Sequence, residues 1–268
     1  MDYLNHFGFA KKPFSQDLKW EDLLVTDQLK DWQGRFNFVA THKFWAVLTG
    51  EVGAGKSTAV RWALNNLPHP EYRPIEIIAS AGSTIETYRR ILMALGIPLP
   101  GNRARMHHAI IQTFKEIAAQ KITPLLIIDE ASLLSLEAFK ELHTLTQIDC
   151  DSKSIIVVIL VGQDDLIDKL TYPTSRPLAS RITARMHLTA GNEQQTADYI
   201  AHHLKIAGCR PTLFESQAIT ATHQAAGGIP RNINNLARCA LITAAAQKRQ
   251  VVTPDDVRIA STELFLHA

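Results

Sequence analysis

The stretch "GEVGAGKS", residues 50–57, constrains the fold more than any other part of the chain. It fits the pattern G-x-x-x-x-G-K-[ST] and follows the apolar run "FWAVL". Glycines let such a loop bend tightly, so successive main-chain N–H groups point into one concavity. A helix that begins near Lys56 would add its free N-terminal amides and the positive end of its dipole. The sequence therefore predicts a strand, a phosphate-binding loop and a helix, in this order.

The residue types of this loop indicate a nucleoside triphosphate with Mg²⁺. Lys56 brings a point charge for the outer phosphates, and the Ser57 hydroxyl is the expected Mg²⁺ ligand. A glycine-rich turn with a chance lysine is the alternative, but it gives no reason for the strand and helix on either side. The residues predicted to bind the nucleotide, called the phosphate loop below, are Gly50, Glu51, Val52, Gly53, Ala54, Gly55, Lys56, Ser57 and Thr58.

Composition limits the classes of protein that the chain can belong to. With 268 residues, 46% of them hydrophobic, it can form one large domain or two modest ones with a full core. The net charge is only +2, so binding to nucleic acid would need a local basic patch. Cys150, Cys209 and Cys239 are far apart and form no CxxC pair, which argues against a disulfide framework or a zinc site.

Histidines and apolar runs add two further expectations. Two histidine pairs lie on predicted helices without metal-ligand spacing, so we expect surface or interface positions for them. These are His107, His108, His202 and His203. No stretch reaches 18 consecutive apolar residues, and the N-terminus "MDYLNHFGFAKK" does not resemble a signal peptide. We therefore expect a cytoplasmic protein without a membrane span.

Strand-like and helix-like segments alternate through the middle of the chain. Strands are expected at 44–50, 74–80, 124–130, 154–162 and 184–190, and four of these runs suit a parallel sheet covered on both faces. Helices are expected near 56–67, 83–95, 104–120, 136–147 and 163–170. This alternation predicts a three-layer α/β domain. Beyond residue 191 four helices are expected, with Asn192 and Thr253 as N-caps.

Three parts follow from this organisation. Residues 1–42 form an N-terminal arm with an amphipathic helix that begins near Thr26 or Asp27. Residues 43–190 form the α/β core, and residues 191–268 form a small helical domain.

Two carboxylates follow the buried run "LLII". In P-loop enzymes a carboxylate at the tip of such a strand holds Mg²⁺, which makes Asp129 the second expected metal ligand. Glu130 can orient or deprotonate the attacking water. Strands often end in acidic turns, but here the element order and the distance from Lys56 favour a catalytic pair.

Four more polar residues are candidates for contacts with the nucleotide. Gln163 follows the next strand and would point toward the γ-phosphate, or it merely opens a helix. Arg181 and Arg185 could stabilise charge on a transferring phosphoryl group, from the same subunit or from a neighbouring one, and the sequence does not distinguish them. Arg231 in "GGIPRN" begins a helix of the second domain and could reach phosphate across the domain cleft.

Together these residues resemble an AAA+ ATPase over roughly residues 25–265. The matching segments are Walker A "GEVGAGKS", Walker B "LLIIDE", sensor 1 at Gln163, the arginine-finger segment "SRITAR" and sensor 2 "GGIPRN". The resemblance implies an α/β P-loop AAA+ domain with a parallel sheet, a helical lid, and ATP hydrolysis with Mg²⁺. Within AAA+, "FGFAKKPF" and "VILVGQDDL" resemble the ExeA group, which includes the TniB, TnsC and Mu B transposition regulators.

This narrower resemblance implies a homo-oligomer, as a ring or a helical filament, on double-stranded DNA. A transposase and a target-selection protein would be its partners. The expected phosphate contacts are Arg89, Arg90, Arg103 and Arg105, unless these residues lie on a merely solvated helix face. An ExeA-like ATPase that assists a secretion complex is the main alternative, although a membrane span would support it better. A replication initiator or loader would call for an appended domain, and the two-domain plan argues against a simple P-loop kinase.

Overall fold

Five parallel strands form a sheet within the described part of the chain. The computed structural model of the chain describes residues 2–15, 18–68, 70–147 and 154–264. The strands are β1 (Trp45–Gly50), β2 (Tyr72–Ile78), β3 (Thr123–Asp129), β4 (Val157–Gly162) and β5 (Ile182–Leu188). They lie in the order β2-β3-β4-β1-β5, and every neighbouring pair is parallel. The predicted parallel sheet is confirmed, with strand ends within three residues of those expected.

Burial separates the central strands from the edge strands. Every residue of β1 and β4 is buried, and so is the centre of β3. In β2 and β5 buried and exposed residues alternate. The prediction of four runs covered on both faces is therefore wrong for β2, where Glu76 and Ile78 are exposed. The reason is position: β2 and β5 are the two edges of the sheet.

Helices flank the sheet, and further helices follow the last strand. They are α1 (Tyr3–Phe7), α2 (Asp27–His42), α3 (Lys56–Asn65), α4 (Thr84–Leu95), α5 (Arg103–Ala119), α6 (Leu136–Leu145), α7 (Asp165–Thr171), α8 (Arg176–Ala179), α9 (Glu193–Ile206), α10 (Ser216–Ala226), α11 (Pro230–Ala246) and α12 (Pro254–Glu263). One core cluster joins apolar side chains of the sheet to those of α4, α5 and α6, including Tyr88, Phe114 and Phe139. The three-layer α/β arrangement with a helical C-terminal region is confirmed.

The four C-terminal helices begin and end where local sequence chemistry directs. Asn192 and Thr253 are the N-caps of α9 and α12, which confirms both predicted N-caps. The Asn192 side chain accepts from the Gln195 N–H, and the Asp256 carboxylate accepts from the Thr253 N–H. Pro230 and Pro254 occupy the first turns of α11 and α12, where a missing N–H costs nothing. Buried apolar residues of these helices, among them Leu204, Leu236 and Leu241, form a second core cluster.

The chain divides into two compact units. One unit comprises Met1–Thr26, Gly53–Gly55 and Thr189–Ala268, and the other comprises Asp27–Val52 and Lys56–Leu188. The three-part division expected at residues 42/43 and 190/191 stays a prediction.

In the first unit, residues 2–15 of the N-terminal arm bind to the C-terminal helical region. The Ala10 N–H donates to the carbonyl oxygen of Ala207 at 2.9 Å, and the Arg238 guanidinium donates to the carbonyl oxygen of Phe14 at 2.9 Å. The Phe14 ring is fully buried, and its centroid stacks 5.2 Å from that of His203. The surface or interface position expected for His203 is wrong. The His203 side chain is only 1% exposed and lies between the rings of Phe14 and Tyr199, because this face of α9 packs against the core of the first unit.

Candidate nucleotide-binding site

The phosphate loop connects β1 to α3. The strand ends at Gly50 and the helix begins at Lys56, as the sequence predicts. Gly53 and Gly55 have φ angles of 88° and 96°, a left-handed conformation that only glycine adopts readily. Lys56 is 8% exposed, and its Nζ donates to the carbonyl oxygens of Gly50 at 2.8 Å and Glu51 at 2.9 Å. The lysine ammonium is thus held within the loop by the loop's own main chain.

Gly53 is constrained by a neighbour as well as by its φ angle. Gly53 and Arg231 belong to the same compact unit, and the Arg231 N–H donates to the Gly53 carbonyl oxygen at 3.3 Å. A Cβ on Gly53 would lie 2.7 Å from the Arg231 Cβ. Any side chain at position 53 would therefore displace the first turn of α11, where Arg231 is the second residue.

The side chains of Ser57 and Asp129 are hydrogen-bonded to each other at the carboxyl ends of the strands. The Ser57 hydroxyl donates to Asp129 Oδ2 at 3.0 Å, although 72 residues separate the two in sequence. Hydroxyl and carboxylate oxygens are the ligands that Mg²⁺ prefers, and the ion commonly binds one or two protein groups together with phosphates and waters. No cluster of three or more His, Cys, Asp or Glu side chains with metal-binding geometry occurs among the described residues. The pair therefore fits a magnesium ion shared with a bound phosphate.

Glu130 follows Asp129 in an unusual backbone conformation. Its φ and ψ are 52° and 37°, in the left-handed region, which costs a non-glycine residue about 1–2 kcal/mol. The Glu130 N–H donates to Asp129 Oδ1 at 2.9 Å, and the Glu130 carbonyl oxygen accepts from the Leu133 N–H at 2.9 Å. Strain of this kind persists where the surrounding structure fixes it, and it concentrates at functional sites.

Gln163 directly follows β4, which lies between β1 and β3. Its exposed side chain therefore begins at the carboxyl end of the sheet, between the strands that carry the phosphate loop and Asp129. The next residue, Asp164, has an Oδ1 atom 3.1 Å from His187 Nδ1. The same Nδ1 lies 3.1 Å from Oγ1 of the buried Thr49, the last residue before the loop. His187 thus links the segment after β4 to the base of the loop, and no local sequence signal predicted this link.

The two candidate arginines lie in different settings. Arg181 precedes β5, and its Nε donates to His143 Nδ1 at 3.1 Å. Arg185 lies inside β5 rather than at its start, because the strand begins at Ile182 instead of residue 184. The Arg185 side chain is exposed and lines a shallow pocket with Arg35 and Phe38 of α2. Arg181 therefore has the position of a residue presented by a loop, whereas Arg185 belongs to an edge strand.

The basic residues of α4 and α5 are largely matched by carboxylates. Arg89 and Arg90 lie 3.9 Å and 3.2 Å from the carboxylate oxygens of Glu86. Arg103 pairs with Glu137 at 3.2 Å and with Glu141. Arg105 is exposed on the first turn of α5. Three of the four predicted DNA contacts thus already have acidic partners within the chain.

Glu141 organises a small network beside Arg103. It accepts a hydrogen bond from the Tyr88 hydroxyl, and burial together with this carboxylate raises the pKa of Tyr88. Burial also lowers the pKa of His107, which lies beside the Tyr88 ring. Arg103 therefore helps to hold α4, α5 and α6 together.

The fold and this site define a P-loop protein of the AAA+ fold. Residues 40–170 match the family described as "AAA domain". A relative described as general secretion pathway protein A, from Aeromonas hydrophila, is 31% identical over 98% of this chain. The chain spans 48% of that relative's length.

Solved structures share the same fold at low sequence identity. Cdc6p from Pyrobaculum aerophilum is 16% identical with a TM-score of 0.75, and the match covers 94% of this chain and 70% of that one. The ORC2 protein of Aeropyrum pernix, in ADPNP–ADP complexes, is 16% identical with a TM-score of 0.72 over 93% and 70%. Within the described ranges, no helix has the length and apolar character needed to cross a membrane.

Proposed function

We propose that this chain is a cytoplasmic ATPase that binds ATP with Mg²⁺ and hydrolyses it to ADP and phosphate. The hydrogen bond between Ser57 Oγ and Asp129 Oδ2 is the observation that carries the proposal. It joins the end of the phosphate loop to the tip of β3, so two oxygen ligands meet beside the lysine that would bind the outer phosphates.

Each residue then has a defined task. The loop amides and Lys56 Nζ would bind the phosphate oxygens, and Ser57 and Asp129 would hold the metal ion. Mg²⁺, when bound, supplies positive charge that offsets the negative charge on the phosphates. The Glu130 carboxylate orients the attacking water and takes its proton, while the Gln163 amide contacts the γ-phosphate side. Arg231, at the start of α11, contributes a further cation for phosphate.

The complete site includes a second copy of the chain. An arginine supplied by a neighbouring subunit stabilises the charge of the transferring phosphoryl group in many P-loop ATPases. Between the two candidates we favour Arg181, because it precedes β5, whereas Arg185 is anchored within the edge strand. Assembly would therefore accompany ATP binding, as a ring or a filament.

For the partner of this assembly we propose double-stranded DNA, with a transposase and a target-selection protein acting on it. The support is the placement of two basic pairs on neighbouring helices between β2 and β3. Because Arg89, Arg90 and Arg103 pair with glutamates, phosphates would have to displace those carboxylates, and each subunit would bind weakly. Many subunits in one assembly would then bind tightly together.

A second candidate is an ATPase that assists assembly of a secretion complex without DNA. The similarity to general secretion pathway protein A, which runs through 98% of this chain, favours it. The charge balance on α4 and α5 also favours it, because paired arginines are poor phosphate ligands.

One experiment tests the ATPase and separates the two partners. Phosphate release by the purified chain is measured with and without duplex DNA, and binding to two unrelated duplexes is titrated with salt in the presence of a non-hydrolysable ATP analogue. The DNA proposal expects nucleotide-dependent, sequence-tolerant binding that weakens steeply with salt. Hydrolysis without any duplex binding at low salt would favour the secretion function, and absence of both nucleotide binding and hydrolysis would reject the ATPase.

A further inference from the structure

Lys169 on α7 contacts the turn that follows the predicted catalytic carboxylate. This turn is a short 3-10 helix, Ala131–Leu133, directly after Glu130. The half-buried Lys169 Nζ donates to the carbonyl oxygen of Ser132 and, at 3.2 Å, to that of Leu134. One ammonium group therefore binds two carbonyls at the C-terminal end of the turn, where a positive charge is favoured.

The end of β4 also lies against the same turn. A Cβ on Gly162 would lie 3.1 Å from the Ser132 main-chain nitrogen and 3.0 Å from Leu166 Cδ2. The end of β4 and the turn after β3 are thus in close backbone contact. Lys169 lies one turn beyond Leu166 on α7, and its hydrogen bonds add a polar contact to this close backbone approach.

The conformation of this turn sets the direction of the Glu130 side chain. Glu130 is held in a left-handed conformation, and its carbonyl oxygen accepts from the Leu133 N–H within the same turn. If the turn relaxes, Glu130 can return to an ordinary conformation, and its carboxylate then changes direction. A small displacement of a catalytic group is enough to lose much of its effect.

We propose that Lys169 is a positioning residue for ATP hydrolysis: it fixes the turn after Glu130 and thereby aims the Glu130 carboxylate. This inference rests on the proposed ATPase function, and it adds a residue that acts through Glu130 without touching the nucleotide. It also couples the segment after β4, which carries Gln163, to the segment after β3. Both sides of the γ-phosphate site would then move as one body.

The test compares three variants of the full chain with wild type. Lys169→Met keeps an apolar stem of similar length and removes the donor, whereas Lys169→Arg keeps donors for both carbonyls. Lys140→Met is the matched control, since Lys140 is an exposed lysine on α6 of the same unit. ATP turnover, KM, affinity for a fluorescent ATP analogue and thermal unfolding are measured for each.

For Lys169→Met we expect kcat to fall roughly 10- to 100-fold while nucleotide affinity stays within about twofold of wild type. Lys169→Arg should recover most of the loss, and Lys140→Met should match wild type. An unchanged kcat in Lys169→Met overturns the proposal. A parallel loss of kcat, affinity and thermal stability overturns it too, because that pattern indicates a general structural role.

Hydrogen exchange separates failure of this inference from failure of the ATPase proposal. Lys169→Met should speed exchange of the amides in residues 131–134 relative to Lys140→Met, whether or not the chain hydrolyses ATP. A wild-type chain without turnover would reject the ATPase, and faster exchange would still assign the turn to Lys169. Equal exchange in both variants would overturn the role of Lys169.

Discussion

Cationic side chains near the carboxyl ends of the strands and those on α4 and α5 have different kinds of hydrogen-bond partner. Lys56 and Lys169 donate to main-chain carbonyls of turns next to the site. Arg89 and Arg103 instead form ion pairs with the carboxylates of Glu86, Glu137 and Glu141. Arg90 combines both kinds of contact, because it lies 3.2 Å from a Glu86 carboxylate oxygen and also donates to the Ile78 carbonyl oxygen at 3.1 Å. In the first region a bond to a cation fixes backbone shape, and in the second it neutralises charge.

This difference indicates which of the two regions is better suited to bind an anionic ligand tightly. A carbonyl bears only a partial charge, so a lysine held by carbonyls still attracts an anion strongly. An arginine paired with glutamate must exchange one anion for another, which gains little free energy in water. The carboxyl ends of the strands are therefore suited to tight binding of phosphates. The helices α4 and α5 are suited to weak phosphate contacts, which add up only when many subunits bind together.

The largest expected effect follows from removing the cation of the phosphate loop. Lys56→Ala should weaken ATP binding by about 3 kcal/mol or more, roughly 100-fold, because charge-assisted hydrogen bonds to phosphate disappear. Isothermal titration with ATP and Mg²⁺ measures this change, and Lys140→Ala on the exposed face of α6 serves as the control. If Lys56→Ala bound ATP within a few-fold of wild type, the loop would not be the phosphate site.

The next effect concerns the arginine that a neighbouring subunit would supply. Arg181→Ala should lower turnover on the order of 100-fold while the monomer binds ATP as before, because the guanidinium serves the adjacent site. Arg185→Ala, in the edge strand, should change turnover much less. Steady-state hydrolysis and ATP titration of both variants decide between them.

Mixing experiments extend this test to the assembly. Arg181→Ala mixed with Glu130→Gln should regain some turnover, since some interfaces then combine an intact Glu130 with an intact Arg181. If both variants assemble and the mixture stays inactive, each site is complete within one subunit.

A buried histidine offers an intermediate effect, on stability. Burial lowers the pKa of His203 to about 4. The unfolded chain therefore binds a proton more readily than the folded chain, and stability is full above the ordinary histidine pKa and falls as the pH drops toward 4. His203→Phe should remove this loss, which amounts to about 3 kcal/mol at most.

Denaturant unfolding at pH 7, 5 and 4 provides the measurement. The control is His108→Gln, an exposed histidine of α5, which should follow wild type. If His203→Phe loses stability on acidification as steeply as wild type, burial of His203 is not the cause of the acid sensitivity.

The smallest effects are expected on the two basic helices. Replacing Arg103 and Arg105 with alanine, or Arg89 and Arg90, should weaken duplex binding equally for unrelated sequences. The salt slope should fall by about one for each DNA phosphate that the variant no longer binds. ATP affinity should not change. Filter binding over a salt series measures both quantities, and an unchanged slope would remove these residues from the DNA interface.

Arg103 and Arg105 can also be compared singly. Arg103→Ala leaves Glu141 and Tyr88 without their cationic neighbour, so it should lower thermal stability as well. Arg105→Ala should affect duplex binding alone. Equal stability of the two variants would show that the Arg103 pair contributes little to packing.

The parts of the structure that sequence predicts are those fixed by local backbone chemistry. The phosphate loop, the strand before it and the capped helices follow from glycine, apolar runs and capping residues, and all lie close to the expected positions. Ser57 and Asp129 were each expected as ligands of Mg²⁺, and the structure places their side chains within hydrogen-bond distance. How each residue contributes to ATP hydrolysis stays a prediction.

Contacts between distant segments could not be predicted in this way. Nothing near Lys169 in sequence points to the carbonyls of Ser132 and Leu134, and Arg103 gives no sign of its partner Glu141. A surface or interface position was expected for His203 because it lies on a predicted helix without metal-ligand spacing, yet the N-terminal arm covers it with Phe14. Such contacts depend on which elements pack together, which a single sequence does not encode in local patterns.

The most direct measurement of the central claim is single-turnover hydrolysis of ATP by wild type and by Glu130→Gln. The amide keeps the shape of the carboxylate but cannot accept the proton of the attacking water. We expect Glu130→Gln to bind ATP with Mg²⁺ as tightly as wild type and to hydrolyse it more slowly by a factor of roughly 100 or more. Wild-type turnover in Glu130→Gln would contradict the assignment of Glu130 as the catalytic carboxylate, and with it the proposed site at the carboxyl ends of the strands.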